Sequence, residues 1–459
     1  MTHIFHPSLL REYDMRGIVG ETLGERDAYA VGRTFGTLIA RAGGSAIAVG
    51  RDGRLSSPSL ESALVRGVRD SGVDVLRIGL GPTPMLYFAE AERKVMGGIQ
   101  ITGSHNPRDH NGFKLVFQHG PFFGEDIQKL GAMAAKGDWD EGVGSIETID
   151  LLDAYVARLM RDFDGPALRI GWDTGNGAAG PVVEKLTQLL PGEHHLLFTE
   201  VDGHFPHHHP DPGEEANLAA LKALVLDNKL DFGLAFDGDG DRIGVVDGLG
   251  RVIRGDQLLS IFAENLLAQC PGATIIADVK ASQTVFDRIA GLGGRPLMWK
   301  TGHSLIKSRM KETGSLLAGE MTGHVFFADD YYGFDDGLYA AVRLIRATTR
   351  LGRSVTELRG AMPEMANTPE LRFPVEESRK FAVVDEVLAR LRAQGATVDD
   401  MDGARVRMAD GWWLLRASNT QAALVARAEA KDAAALARVL ASLDSQLADS
   451  GVIRPPADG

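Results

Sequence analysis

Only one cysteine, Cys270, occurs in 459 residues. An intramolecular disulfide is thereby excluded, and a reducing compartment is expected. Apolar runs are short as well. None approaches the roughly 20 residues that a transmembrane helix requires, and the opening Met1-Thr2-His3-Ile4-Phe5-His6 lacks the apolar core of a secretory signal. Positive charge is scarce: Lys and Arg number 49 against 62 Asp and Glu, for a net charge of −13. No basic stretch offsets it, which argues against a nucleic-acid partner. The Gly-x-Ser-x-Gly elbow of a serine hydrolase is missing too. These absences predict a soluble, cytoplasmic protein that binds neither membrane nor nucleic acid; a monomer or weak homodimer is expected, though no feature of the sequence fixes the oligomeric state. Any anionic ligand must be drawn in by charge concentrated locally.

What the chain does have is repetition. Its length suggests three to four domains. An apolar strand ending in aspartate occurs three times: Ile47-Ala48-Val49-Gly50-Arg51-Asp52, Ile170-Gly171-Trp172-Asp173 and Ile275-Ile276-Ala277-Asp278. Each is followed by a helical stretch, then by a second apolar strand that runs into a polar loop, at Thr102, at Asp237 and at Gly319-Glu320. The alternation predicts three similar α/β domains with mixed or parallel sheets, over residues 1–150, 151–253 and 254–364, each sending a loop from its strand ends. Helices are expected over 26–42, from Ala28, Val31, Phe35, Leu38 and Ile39 at helical spacing, and over 151–161. Residues 365–459 read differently: a strand over 406–415, a loop at Arg416-Ala417-Ser418-Asn419-Thr420, a strand over 422–427 and an Ala/Leu-rich helix over 430–448. They predict a smaller α+β domain with a frayed tail from Pro455.

Two loops carry most of the chemistry. Thr102-Gly103-Ser104-His105-Asn106-Pro107 sets Ser104 in a polar turn behind an apolar strand, with Lys114 a little further on. Asp237-Gly238-Asp239-Gly240-Asp241-Arg242 sets three carboxylates at alternate positions, hence on one face of an extended segment. Such carboxylates repel by about 1–4 kcal/mol per pair at about 4 Å, depending on the effective dielectric. A cation removes that cost, and an all-oxygen donor set selects Mg²⁺ or Ca²⁺, with Mg²⁺ usual beside a phosphoryl group. An EF-hand does not explain the run, because Arg242 stands at its sixth position and Gly248 at its twelfth. A hydroxyl that can carry a phosphoryl group, paired with a carboxylate cluster for a hard cation, points to phosphoryl transfer.

Three further segments are weaker signals. Gly319-Glu320-Met321-Thr322-Gly323-His324, preceded by Thr301-Gly302-His303-Ser304, offers Glu320 to sugar hydroxyls and His324 as acid or base. Arg416 with Ser418, Asn419 and Thr420 would make a phosphate cradle. An ordinary turn remains open for both loops. Lys114 would neutralise phosphate, or carry a proton if neighbouring positive charge lowered its pKa. His207-His208-His209, set among Pro206, Pro210 and Pro212, reads as a rigid surface loop rather than a metal tract.

Taken in order, Tyr13-Asp14-Met15-Arg16-Gly17, Gly50-Arg51-Asp52, the Ser104 loop, residues 202–212, the loop 237–242, Lys280, the loop 319–324 and residues 416–420 resemble the α-D-phosphohexomutase superfamily over essentially the whole chain. The bacterial phosphomannomutase/phosphoglucomutase group is most similar. The resemblance implies four domains around a central cleft, and a phosphorylated Ser104 held on Mg²⁺ with Asp237, Asp239 and Asp241. Arg242, Lys114, Arg16 and His105 would ring it. Tyr13, Lys280, Gly302, His303, Glu320 and Thr322 would hold the sugar, while Arg416, Ser418, Asn419 and Thr420 would grip the distal phosphate. The implied reaction interconverts hexose 1-phosphate and hexose 6-phosphate through a hexose 1,6-bisphosphate, with glucose or mannose 1,6-bisphosphate as activator. His324 is the first candidate for the base and Lys114 for a proton carrier. The chain departs from the group at Gln421-Ala422-Ala423, where a proline is usual, at Thr322 for serine and at His207 for asparagine. Two rivals stand beside this reading. One is a phosphoglucosamine mutase, a branch that tends to carry Gln for Met321 and Ala for Gly103. The other is a non-catalytic sugar-phosphate-binding protein, for which a nucleophile at Ser104 would be superfluous.

Overall fold

The computed structural model describes residues 2–418 and 422–454. Three sheets share one plan. In the first, Ala46–Arg51 lies between Asp74–Leu80 and Gly97–Ile101, parallel to both, and His110–Phe117 returns antiparallel beside Gly97–Ile101. In the second, Leu168–Asp173 lies between Gly192–Leu197 and Phe232–Phe236, with Ile243–Asp247 returning. The third sets Thr274–Asp278 between Arg295–Trp299 and Leu317–Gly319, with Val325–Phe327 returning. The two inner parallel strands of each sheet are covered on both faces, which is why they read as continuous apolar runs. The flanking strands did not stand out in the sequence. Asp74–Leu80, Gly192–Leu197 and Arg295–Trp299 are only partly buried and carry charged or histidine side chains such as Arg77, His195 and Arg295.

Each functional loop is the short hairpin between the last parallel strand and its antiparallel return: residues 102–109, 237–242 and 320–324. Sheet hydrogen bonds clamp both ends of every loop, so each makes a firm platform. A single apolar cluster runs through all three units, including Leu86, Trp172, Leu234, Ile275 and Leu338. The helix Gly337–Leu351, buried on nearly every side, packs against strands of the second and third sheets. This shared core sets the three loops against one another.

The fourth unit is an antiparallel sheet built on Ala404–Met408, Gly411–Ala417 and Ala423–Ala430, with helices Lys380–Ala393 and Ala433–Ala448 packed over it. The single strand expected over 406–415 is in fact two, turning at Ala409-Asp410, and Arg416 belongs to a strand rather than to a loop. Among the described residues no helix is long and apolar enough to cross a membrane. The tail from Pro455 lies outside the described residues.

Candidate active site

Ser104 is 1% exposed and takes a left-handed backbone, φ 48°, which costs a residue with a side chain about 1–2 kcal/mol. The loop around it is wired from below by Arg54. This guanidinium, itself 1% exposed, donates to the carbonyls of Ser104 (2.8 Å), Asn106 (2.6 Å), Pro107 (2.6 Å) and His110 (2.9 Å). Asp52 lies 3.3 Å from Arg54 Nε and accepts from Gly103 N at 3.1 Å. Sequence reasoning missed Arg54. Its only local signal was its place just after the Gly50-Arg51-Asp52 motif. The histidine run, read as a rigid surface loop, also braces the serine loop. His209 Nε2 donates to the carbonyl of His105 at 2.5 Å, His208 bonds Asp173 at 3.0 Å and His207 stacks on Phe198 at 3.9 Å.

The acidic loop meets this serine from the second unit. Ser104 Oγ donates to Asp237 Oδ2 at 2.9 Å and lies 3.1 Å from His105 Nδ1. Asp237, Asp239 and Asp241 are fully buried, and one oxygen of each falls within 4.8 Å of the others. Asp239 Oδ1 and Asp241 Oδ1 have no hydrogen-bond partner. Burial and the two neighbouring carboxylates push Asp237 well above the usual range. Buried, unpartnered, mutually repelling oxygens suit a hard divalent cation, so the donor set fits Mg²⁺. Thr83, also unforeseen, donates its hydroxyl to Asp239 Oδ2 at 2.5 Å from the first unit.

Cations surround the pair. Lys114 Nζ donates to Asp239 Oδ2 at 2.7 Å and also bonds Asp241. Burial opposes its charge, but Asp239 and Asp241 outweigh that and raise its pKa. Lys114 therefore holds its proton, and a fixed charge fits it better than the proton carrier expected from lowering. Arg16 pairs with Asp14 at 2.7 Å and donates to the Asn106 side chain at 3.0 Å. Arg242 donates from its backbone to Asp237 (3.1 Å) and from Nε to His324 Nε2 (3.3 Å). Burial, then Arg242 and Arg16, push His105 well below its ordinary value and keep it neutral.

The third unit brings the loop 320–324 alongside, joined through Ile243 N to the Gly323 carbonyl. Glu320 accepts from His324 Nδ1 (2.7 Å) and from Gly302 N (2.7 Å). Burial opposes charge on His324, yet Asp241, 3.3 Å from Nε2, and Glu320 raise its pKa to about 9. Glu320 is correspondingly drawn down to about 2, its burial outweighed chiefly by His324. His303 opens the helix His303–Thr313, after Gly302 at φ 131°. A Cβ on Gly302 would sit 2.7 Å from the ring of Tyr13, whose hydroxyl donates to the Thr301 carbonyl at 2.8 Å. Lys280 Nζ lies 3.4 Å from Glu370 of the fourth unit.

Of these residues, Tyr13, Arg16, His105, Lys114, Arg242, Lys280, Gly302, His303, Glu320 and His324 line one cleft of about 650 Å³, which Thr322, Arg416 and Ser418 also line. Arg416 Nε bonds Asp402 at 3.0 Å, while one of its terminal nitrogens is buried without a hydrogen-bond partner. That is the state of a guanidinium built to receive an anion. Asn419 and Thr420 lie outside the described residues.

Four family profiles match the chain. They are the phosphoglucomutase/phosphomannomutase alpha/beta/alpha domains I (residues 7–141), II (153–250) and III (254–365), and the C-terminal domain (370–446). A phosphomannomutase/phosphoglucomutase of Pseudomonas aeruginosa is 44% identical over 441 residues, covering 96% of this chain and 95% of its own. A phosphoglucomutase of Neisseria gonorrhoeae is 43% identical over 436 residues, covering 94% and 95%. The crystal structure of a phosphoglucomutase/phosphomannomutase family protein from Burkholderia thailandensis superposes with a TM-score of 0.92 at 42% identity, covering 99% of both chains.

Proposed function

The chain belongs to the phosphoglucomutase/phosphomannomutase family, and from that premise we propose that it is a phosphomannomutase/phosphoglucomutase, an intramolecular phosphotransferase that interconverts hexose 1-phosphates and hexose 6-phosphates. The observation that carries this reading is the Ser104 hydroxyl, 2.9 Å from Asp237 in a buried acid triad. A binding protein has no use for a nucleophile held there.

Mg²⁺ on Asp237, Asp239, Asp241 and an oxygen borne by Ser104 would supply positive charge to the phosphoryl oxygens during transfer. The rest falls to side chains. The free hydroxyl of a hexose 1-phosphate attacks the phosphorus carried by Ser104, and its proton passes to His324 Nε2. The new O–P bond forms as the bond to Ser104 Oγ breaks. Glu320 on Nδ1 fixes the ring's orientation. Arg242 opposes charge on the ring, and a cation on Asp241 would weaken that carboxylate's pull on Nε2 and so favour an imidazole able to take a proton. Lys114, Arg242 and Arg16 neutralise charge without exchanging protons. The resulting 1,6-bisphosphate turns end for end, and its other phosphoryl group returns to Ser104 Oγ as its bond to the sugar oxygen breaks. His324, protonated in the first transfer, gives its proton to that oxygen. His105 Nδ1, 3.1 Å from Oγ, gives the serine a proton when it loses the group and takes it back when it regains it. Arg416 and Ser418 hold whichever phosphate is distal. Closure of the fourth unit keeps water from the phosphoserine. Glucose or mannose 1,6-bisphosphate activates by restoring a lost phosphoryl group.

A phosphoglucosamine mutase is less well supported. Met321 stands against it, and Gly103 has a packing cause of its own, since a Cβ there would lie 2.4 Å from the Arg54 guanidinium. The test is a phosphorus NMR time course with Mg²⁺ and a trace of glucose 1,6-bisphosphate, offering mannose 1-phosphate, glucose 1-phosphate and glucosamine 1-phosphate in parallel. Conversion of both hexose phosphates, abolished in Ser104→Ala, is expected. Turnover of the amino sugar alone, or of none, would overturn the proposal.

A further inference from the structure

A single carboxylate oxygen bridges the fourth unit and the sugar-reading edge of the third. Asp402 Oδ2 accepts from Arg416 Nε at 3.0 Å and from Thr301 N at 3.1 Å. Asp402 stands in the turn between Val398–Asp399 and Ala404–Met408. Gly403, at φ 92°, lets that turn lie directly on the strand Gly411–Ala417, since a Cβ there would fall 2.8 Å from Arg416 Cα. Backbone packing thus sets the carboxylate against the arginine. Burial disfavours charge on Arg416, yet Asp402, with Tyr13 and Glu370, outweighs it and raises the pKa. Because a guanidinium is planar, holding Nε also fixes the direction of its terminal nitrogens. One of those is buried without a hydrogen-bond partner, and Arg416 lines the cleft.

Thr301, at the other end of the bridge, is tied on every side. Its Oγ1 donates to Asp278 Oδ2 at 3.1 Å, and its carbonyl accepts from the Tyr13 hydroxyl at 2.8 Å. The next residue, Gly302, donates from N to Glu320 Oε1 at 2.7 Å. The segment that holds Glu320 is therefore itself held by the first, third and fourth units, and Asp402 is the fourth unit's share. A bisphosphate that reacts at either end must span the distance from Arg416 to this segment in both orientations. A carboxylate shared by the two keeps that distance constant.

We propose that Asp402 is a positioning residue, which orients Arg416 toward the distal phosphate and fixes the span between that grip and the Thr301–Glu320 edge of the sugar site. The consequence for turnover rests on the mutase reading. A distal phosphate is held alike in the ground state and the transition state, so loss of Asp402 raises KM and leaves kcat little changed.

A double-mutant cycle on the full chain tests this, with glucose 1-phosphate as substrate. Asp402→Ala should lower kcat/KM about tenfold, through KM. In an Arg416→Ala background the same change should cost less than about twofold, because no guanidinium remains to be oriented. Asp402→Asn keeps one acceptor oxygen and nearly the same shape; it should show a smaller loss with the same coupling, and it carries the cycle if the alanine variant does not fold by circular dichroism. Equal losses in both backgrounds, or no loss in either, would overturn the proposal. Amide hydrogen exchange without substrate reads the other end of the bridge. The Thr301 amide should exchange about tenfold faster in Asp402→Ala, and wild-type protection there would overturn the proposal as well. Failure of the unaltered chain to turn over any sugar phosphate would end the mutase reading, and exchange at Thr301 would still decide whether Asp402 ties the two units.

Discussion

Arg54→Lys should separate the holding of Ser104 from the chemistry of Ser104. Arg54 gives hydrogen bonds to four carbonyls of the serine loop from a planar fork, and a lysine ammonium at the end of a flexible stem cannot reach all four. Hydrogen bonds from a charged group contribute about 1.5–3 kcal/mol each, so losing two removes about 3–6 kcal/mol of restraint. The left-handed Ser104 backbone stores about 1–2 kcal/mol that those bonds offset. The loss exceeds the strain by enough that the loop should relax and carry Oγ away from Asp237. A shift of about 1 Å in a reacting group costs about 10²-fold in rate. The measurements are steady-state kinetics and amide hydrogen exchange. We expect kcat about 10²-fold lower, KM little changed because no substrate contact is touched, and faster exchange confined to residues 103–110. Arg54→Lys with wild-type kcat and unaltered exchange would refute the reasoning.

Other outcomes follow from the same geometry. Gly103→Ala would put a Cβ 2.4 Å from the Arg54 guanidinium, and its exchange pattern should match that of Arg54→Lys; protection equal to wild type counts against the packing account. Mg²⁺ at a hundred times its dissociation constant should stabilise the chain by about 2.7 kcal/mol, seen as a calorimetric upshift that shrinks in Asp239→Asn; an unchanged transition would mean the triad does not take the ion. Arg416→Ala removes a charge-assisted phosphate contact of about 1.5–3 kcal/mol, so kcat/KM should fall by about 10- to 100-fold, and an unchanged value would remove Arg416 from the substrate site. Burial, opposed by Lys280 and helped by Glu320, lifts the Asp278 carboxyl to about 6. The folded chain therefore binds a proton there that the unfolded chain releases near the ordinary value of about 3.9. That stability is full below about pH 4 and lost as pH rises through 6. Asp278→Asn should thus gain on the wild type in urea unfolding between pH 4 and 7, by about 2–3 kcal/mol, whereas a pH-independent difference would contradict the assignment.

The amino-acid sequence by itself determined the threefold strand-to-aspartate plan, the place of each functional loop and the identity of the acid triad. These are local properties. Apolar runs mark strands covered on both faces, and carboxylates at alternate positions in one hairpin share a face wherever that hairpin lies. The flanking strands, with side chains half in water, left no such run. Tertiary structure alone decided what each side chain meets. Arg54 reaches the Ser104 carbonyl across 50 residues of chain, and His209 reaches His105 across 104. In sequence Lys114 stands near Arg108, Asp109 and His110, so a proton carrier was expected only if neighbouring positive charge lowered its pKa. The shared core instead sets it on Asp239 and Asp241, 125 and 127 residues away, and raises it. Interaction between charges depends on their separation in space and on the dielectric between them, and neither is defined until the units pack.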